Sequence, residues 1–212
     1  MKRFIVIVAA LLVIYSYTPQ IFAMVVAAHS EATQWGSNTN PIMIIVNKQN
    51  SLSHDYVPND LVKIGVPFTL EGESEQMYMQ KEAAYHLEQM FKEAKSQQIF
   101  LYGNSGYRSY KTQEKIYKRA VDEWGSETEA NKWVARPGQS EHQTGLAIDV
   151  HTTDRIWVED NAHKFGFIVR YPKGKEEITG YEYEPWHLRY VSIEHASKIY
   201  KQNLTLEEYL KK

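Results

Sequence analysis

The twelve residues SEHQTGLAIDVH, from Ser140 to His151, restrict the fold more than any other part of the chain. Leu146, Ile148 and Val150 alternate with Ala147, Asp149 and His151, the period of a strand with one apolar and one polar face. Gly145 lets the backbone turn just before that strand. A histidine at position 142 can therefore be carried back over the polar face, towards Asp149, with Ala147 leaving room between them.

Around this strand, helical and extended signals are interleaved. Helical spacing runs from Ser74 to Lys95 through Met79, Ala83, Leu87, Met90 and Ala94. Ser109 is placed to cap a helix with inner face Ile116, Tyr117, Ala120, Val121 and Trp124. Ser126 with Glu129 forms a capping-box pattern ahead of Trp133 and Val134. Asp154 is placed to cap a helix through Ala162, with Gly166 as its left-handed stop. Two further helices are expected, over Ser192 to Lys201 and after the cap Thr205, with Glu208 three residues on. Strands are expected at Ile42 to Val46, Ile99 to Tyr102, Leu146 to His151, Phe167 to Tyr171 and His187 to Val191. Without regular βα alternation, this order predicts an α+β fold: a small, mainly antiparallel sheet with flanking helices.

The N-terminus carries a different signal. Lys2 and Arg3 precede an apolar run from Phe4 to Tyr17, followed by the small residues Ala23, Ala27 and Ala28. That order predicts a signal peptide or an N-terminal membrane anchor over residues 1–28, and hence an exported protein in the cell envelope or outside the cell. Residues 29–40, HSEATQWGSNTN, are polar and aperiodic and read as a linker. The chain has no cysteine, so an exported domain here has no disulfides and relies on its core, helped by any metal it binds. A net charge of −2 without a basic stripe argues against nucleic acid as a partner.

Three clusters carry chemistry: Tyr107-Arg108-Ser109, Ser140 to Asp149, and Glu184-Pro185-Trp186-His187. Pro185 prevents Glu184 and His187 from sharing a helix interior, so this is not the helical HExxH arrangement. His187 is expected to begin a strand, with Glu184 in the turn before it. Two histidines, one aspartate and an extra carboxylate would fill a catalytic zinc site, which needs three ligands, an open position and a base. The competing reading leaves His142 hydrogen-bonded in a loop, Glu184 solvated and Trp186 packed in the core. His151 shares a face with Asp149 but is displaced by about 7 Å along the strand at roughly 3.3 Å per residue. A serine hydrolase built on Ser140 and His142 is disfavoured, because nothing supplies an oxyanion-hole elbow.

SEHQTGLAID fits the pattern S-x-H-x-x-G-x-A-x-D, and EPWH fits E-x-W-H; both resemble the zinc D-Ala-D-Ala carboxypeptidases, in their VanY-like branch. That branch is related in fold to lysostaphin-type peptidases and to the hedgehog signalling domain. SGYRS with Gln113, ARPGQSEH, NAHKFGFIVRYPKGKEEITGY and LTLEEYL are similar to it as well, so the resemblance spans Ile42 to Leu210. It implies a zinc carboxypeptidase domain over residues 41–212, expected as a monomer. It implies one zinc ion per chain held by His142, Asp149 and His187, with Glu184 as general base, and leaves His151 at the site's edge. Arg108 would meet the substrate's terminal carboxylate or the developing oxyanion. Gln113 and Ser140 would assist at that carboxylate, and Tyr171 and Tyr181 would wall the groove. The implied substrates are peptidoglycan stem peptides or precursors ending in D-Ala. Two alternatives share these motifs: an L,D-carboxypeptidase acting on tetrapeptide stems, and a zinc-containing cell-wall-binding module without catalysis. The segment between Asp149 and Ala162 is shorter than expected of the branch, which bears on the rim that reads the residue before the terminal D-Ala.

Overall fold

A computed structural model of the chain describes residues 41–211; residues 1–28, expected to be a signal peptide or anchor, and the expected linker 29–40 lie outside the described residues. No described helix is long and apolar enough to cross a membrane.

A four-stranded antiparallel sheet organises the domain. Its strands are β3 (Leu101–Ser105), β4 (Ala147–Thr152), β5 (Phe167–Tyr171) and β6 (Glu184–Tyr190), in the spatial order β3-β4-β6-β5. A separate antiparallel pair joins β1 (Leu61–Lys63) to β2 (Tyr78–Gln80). The expected α+β architecture is the one observed.

The alternation of β4 divides the sheet into two unlike faces. Ile148 and Val150, with Leu188 and Tyr190 of β6 and Phe167 of β5, pack under α1 (Lys81–Ser96), which contributes Leu87, Met90 and Ala94. Each such side chain taken from water contributes about 1.5–3 kcal/mol. The opposite face carries Asp149, His187, Arg170 and Arg189, and it is this face that holds the chemistry.

Two short helices, α2 (Tyr110–Trp124) and α3 (Glu127–Trp133), form a hairpin beside the sheet. Ser109 caps α2 by accepting from the Thr112 amide, and Ser126 caps α3 by accepting from the Glu129 amide. Asp154 caps α4 (Arg155–Asn161), and Gly166 closes the following 3-10 turn at φ +85°. After a one-turn helix α5 (Glu176–Thr179), the chain ends in α6 (Ile193–Gln202) and α7 (Leu206–Leu210). A complete capping box between Thr205 and Glu208 starts α7.

Four expectations need correction. Residues 42–46 form no strand: a 3-10 turn at Pro41–Met43 leads into irregular backbone, whose carbonyls at Ile42 and Ile44 accept from the Arg189 guanidinium. The helix expected from Ser74 begins only at Lys81, because Tyr78–Gln80 is drawn into pairing with β1. Trp124 does not face inward; it is half exposed and stacks on Trp133 across the hairpin, ring centroids 6.1 Å apart. Glu184 lies within strand β6 rather than in a turn before it. Pro185 is accommodated there because β5 and β6 lose register between Val169 and Tyr171, and a bulge frees the proline from ladder bonding.

Candidate active site

Asp149 and His187 are direct register partners of β4 and β6. Side chains of opposed residues lie within contact distance across an antiparallel pair, so sheet pairing alone brings these two together. His187 Nδ1 is 3.1 Å from Asp149 Oδ1.

His142 arrives by the turn. The 3-10 turn Glu141–Thr144 closes at Gly145, whose φ of +67° belongs to the left-handed region. A Cβ there would also meet Leu61 Cδ2 at 2.8 Å, so both conformation and space call for glycine. The turn sets the His142 ring edge-on to that of His187, centroids 4.7 Å apart, with Nε2 3.4 Å from Asp149 Oδ2. His142 Nδ1 lies 2.8 Å from the Gly106 carbonyl. A carbonyl only accepts, so Nδ1 carries the hydrogen and Nε2 keeps its lone pair for the pocket. Gly106 permits this approach, since a Cβ there would come within 2.6 Å of the Tyr78 carbonyl.

Ligand-capable atoms of His142, Asp149 and His187 all lie within 4.8 Å of one another. Two of them, His142 Nε2 and Asp149 Oδ1, are buried without a hydrogen-bond partner among the described residues. Orphaned buried groups of this kind are costly, and one cation satisfies both. Two imidazoles and a carboxylate form a donor set suited to zinc. Electrostatics agree. Burial pulls the His142 pKa down to about 4, assisted by the Arg108 charge, which keeps the ring neutral. Burial also opposes charge on His187, but the adjoining carboxylates of Asp149, Glu141 and Glu184 override that and push it up to about 9. The pocket therefore favours a positive charge among its acids.

Glu184 is not solvated: it is 7 % exposed, and Oε2 sits 3.9 Å from His187 Nδ1. Burial raises its carboxyl to about 7, with the Asp149 charge adding to the effect. Such a carboxyl can exchange a proton at neutral pH. Trp186 beside it points outward, 41 % exposed, and is not a core residue.

These groups open onto a cleft of about 350 Å³, lined among others by Arg108, Gln113, Ser140, Tyr171, Tyr181 and Trp186. Arg108 Nη1 donates to Gln113 Oε1 at 2.9 Å, and Nη2 is 3.6 Å from Asp149 Oδ2. The Gln113 amide in turn donates to the Ala135 carbonyl, so this glutamine holds the arginine in place as well as lining the cleft. Ser140 precedes the His142 turn and caps nothing with its hydroxyl. Tyr171 and Tyr181 lie with ring centroids 4.9 Å apart, and Tyr171 also packs against His187 at 5.0 Å. Burial pushes both phenols up, so they stay neutral, and the Tyr181 hydroxyl is without a partner. His151 is exposed, stands opposite Tyr102 of β3, and lies outside the His-Asp-His group.

Sequence reasoning missed four charged residues behind the site. Glu141, Arg170, Arg189 and Glu207 are all buried, and Glu141 joins the two arginines through a single carboxylate oxygen. A signal existed in FIVRY and HLRYV, where each strand places an arginine among apolar neighbours. A buried arginine requires an acid.

A buried three-donor pocket, open on one side to a cleft with an adjacent carboxylate, is the arrangement of a metallohydrolase. The chain belongs to the VanY family of D-alanyl-D-alanine carboxypeptidases, whose model matches residues 76–193, and it is an enzyme of the carboxypeptidase class. Among its relatives, YodJ of Bacillus subtilis (strain 168) is 48% identical over 189 residues, which are 82% of this chain and 69% of that one. The structure of the LD-carboxypeptidase LdcB is 47% identical with a TM-score of 0.76, covering 82% of this chain and 88% of that one. The vancomycin-resistance D,D-pentapeptidase VanY of a VanB-type cassette, crystallised as a mutant with Zn(II), is 36% identical with a TM-score of 0.69, covering 81% of this chain and 99% of that one.

Proposed function

We propose that this chain hydrolyses the terminal D-alanine from peptidoglycan stem peptides or their precursors, using zinc held by His142, Asp149 and His187. The observation that carries this reading is the convergence of those three side chains beside Glu184 and Arg108 on one cleft. Zinc bound there supplies Lewis acidity towards the scissile carbonyl and brings the pKa of water towards 7. Glu184 takes a proton from the attacking water and returns it to the leaving amine. With a cation held by the three donors, the Glu184 carboxyl would be favoured in its ionised form and would start as the base. Arg108, braced by Gln113, meets the substrate's terminal carboxylate, which selects a free C-terminus over a continuing chain. Tyr171 and Tyr181 wall the cleft, and Ser140 lies where its hydroxyl can reach the substrate. Residues 1–28 export the domain to the envelope, where such peptides occur.

The 47% identity to an LD-carboxypeptidase favours a second reading, in which the same machinery trims the tetrapeptide stem. Purified protein with zinc, given pentapeptide and tetrapeptide stems separately, decides between them. Release of D-alanine from the pentapeptide alone supports the first reading, and from the tetrapeptide alone the second. Release from neither would remove both. A binding module without catalysis would have no use for Glu184, which this chain retains within the cleft.

Arg108→Ala is expected to lower kcat/KM on free-carboxylate peptides by roughly 10–100-fold, the range for losing a charge-assisted contact. Peptides capped as C-terminal amides should be unaffected, and an equal loss on both would reject the assignment. His151→Ala should retain stoichiometric zinc while His187→Ala loses it, as read by metal analysis after dialysis; the reverse would exchange their roles.

A further inference from the structure

Glu141 lies beside His142 in sequence, yet its contacts are with His187. It is fully buried, and its two oxygens differ in what they meet. Oε1 accepts from Arg170 Nε and from Arg189 Nη1, each at 2.7 Å. Arg170 is gripped from its other side by Glu207, at 2.9 and 2.6 Å, and Arg189 also donates to the carbonyls of Ile42 and Ile44. Glu141 is therefore clamped with little freedom. Among the described residues its Oε2 has no hydrogen-bond partner; it lies 3.8 Å from His187 Nε2, which is buried and equally without one. The other ring nitrogen, Nδ1, faces Asp149 and Glu184.

We infer that Glu141 is a positioning residue: it receives the Nε2 hydrogen of His187, and so directs the lone pair of Nδ1 into the metal pocket. This rests on the reading of His187 as a zinc ligand. A ligating histidine needs its second nitrogen held by an acceptor, which sets the tautomer and raises the ring's basicity. The two histidines have unlike acceptors here, a neutral carbonyl behind His142 and a carboxylate behind His187. The two arginines balance the charges of Glu141 and Glu207, so the carboxylate stays buried without adding uncompensated charge behind the pocket. Arg170 and Arg189 thus act through Glu141 on the orientation of one imidazole.

The test combines spectroscopy of the zinc-loaded wild-type chain with two variants. Long-range 1H–15N spectra of histidine-labelled protein should give His187 a metal-shifted Nδ1 and a protonated, slowly exchanging Nε2. Glu141→Gln keeps size but presents an amide donor to the Nε2 hydrogen when its oxygen stays with the arginines. Zinc affinity by chelator competition should then fall by about 10–100-fold. Glu207→Gln disturbs the same arginines without facing His187, and should lower Tm while leaving zinc affinity within about twofold, since it touches no ligand's partner. The inference is overturned if His187 binds through Nε2, if folded Glu141→Gln keeps wild-type affinity, or if Glu207→Gln weakens zinc as much. Should Glu141→Gln fail to fold, the wild-type tautomer still decides. A His187 ring unperturbed by zinc would instead overturn the ligand reading itself, a result distinct from the others.

Discussion

Glu184→Ala is expected to keep its zinc and lose turnover by about a thousandfold or more, within the range for a positioned acid-base group. The expectation follows from where β6 puts this residue. Glu184 shares a strand with His187 but is offset from it by the bulge opposite Val169 to Tyr171, and its carboxylate lies 3.9 Å from His187 Nδ1. Glu184 keeps 7 % exposure and lines the cleft, where a peptide and a water molecule can meet it. Single-turnover release of D-alanine measures the chemical step, and metal analysis of the same sample measures zinc. Retained turnover would remove Glu184 as the base. Loss of zinc together with turnover would make it a ligand.

The second large effect is on stability. Arg170→Ala should destabilise the domain by about 3–5 kcal/mol, the usual consequence of removing one partner from a buried ionic pair. For a domain of this size that corresponds to a Tm lower by roughly 10 °C or more. Both Glu141 and Glu207 would lose a bidentate or short contact and remain buried. This does not make the network a net source of stability, since a well-packed apolar replacement of the whole set could match it. Acid should narrow the contrast. Burial raises the Glu141 carboxyl, but Arg170 and Arg189 override it and hold the group far below its ordinary 4.5. A depressed acid contributes stability that is present above its unfolded value and lost as pH falls through the folded one. Wild type should therefore lose stability progressively as pH falls below about 4.5, whereas Arg170→Ala, in which the Glu141 carboxyl is held less far below its ordinary value, should show a shallower acid dependence. Thermal unfolding at a series of pH values, in chelator, measures both; coincident profiles would reject the argument.

The local signals in the sequence were reliable where the physics is local. Ser109, Asp154 and Thr205 each cap the helix expected of them, and β5 runs over the five residues predicted. The two faces of Leu146 to His151 were legible because a period of two depends only on the strand itself. Errors arose where a distant partner decides. Tyr78–Gln80 has helical spacing but is claimed by β1, and Ile42–Val46 is apolar enough for a strand but has its carbonyls taken by Arg189. Pro185 excludes a helix shared by Glu184 and His187 but does not reveal that the strand starts at Glu184; the bulge with β5, which makes room for the proline, is a distant feature. The three pocket donors were recoverable from motif and resemblance. The ionic network behind them was not, because its four members come from four separate segments and no spacing links them.

That network also ties assembly of the pocket to both ends of the domain. Arg189 is held by the backbone at residues 42 and 44, and Arg170 by Glu207 in the last helix. Here the backing of one imidazole is incomplete until residue 207 has folded onto the sheet. On the inference drawn above, a chain clipped near either end of the domain would lack that backing. In this architecture readiness for catalysis coincides with having the whole domain in hand.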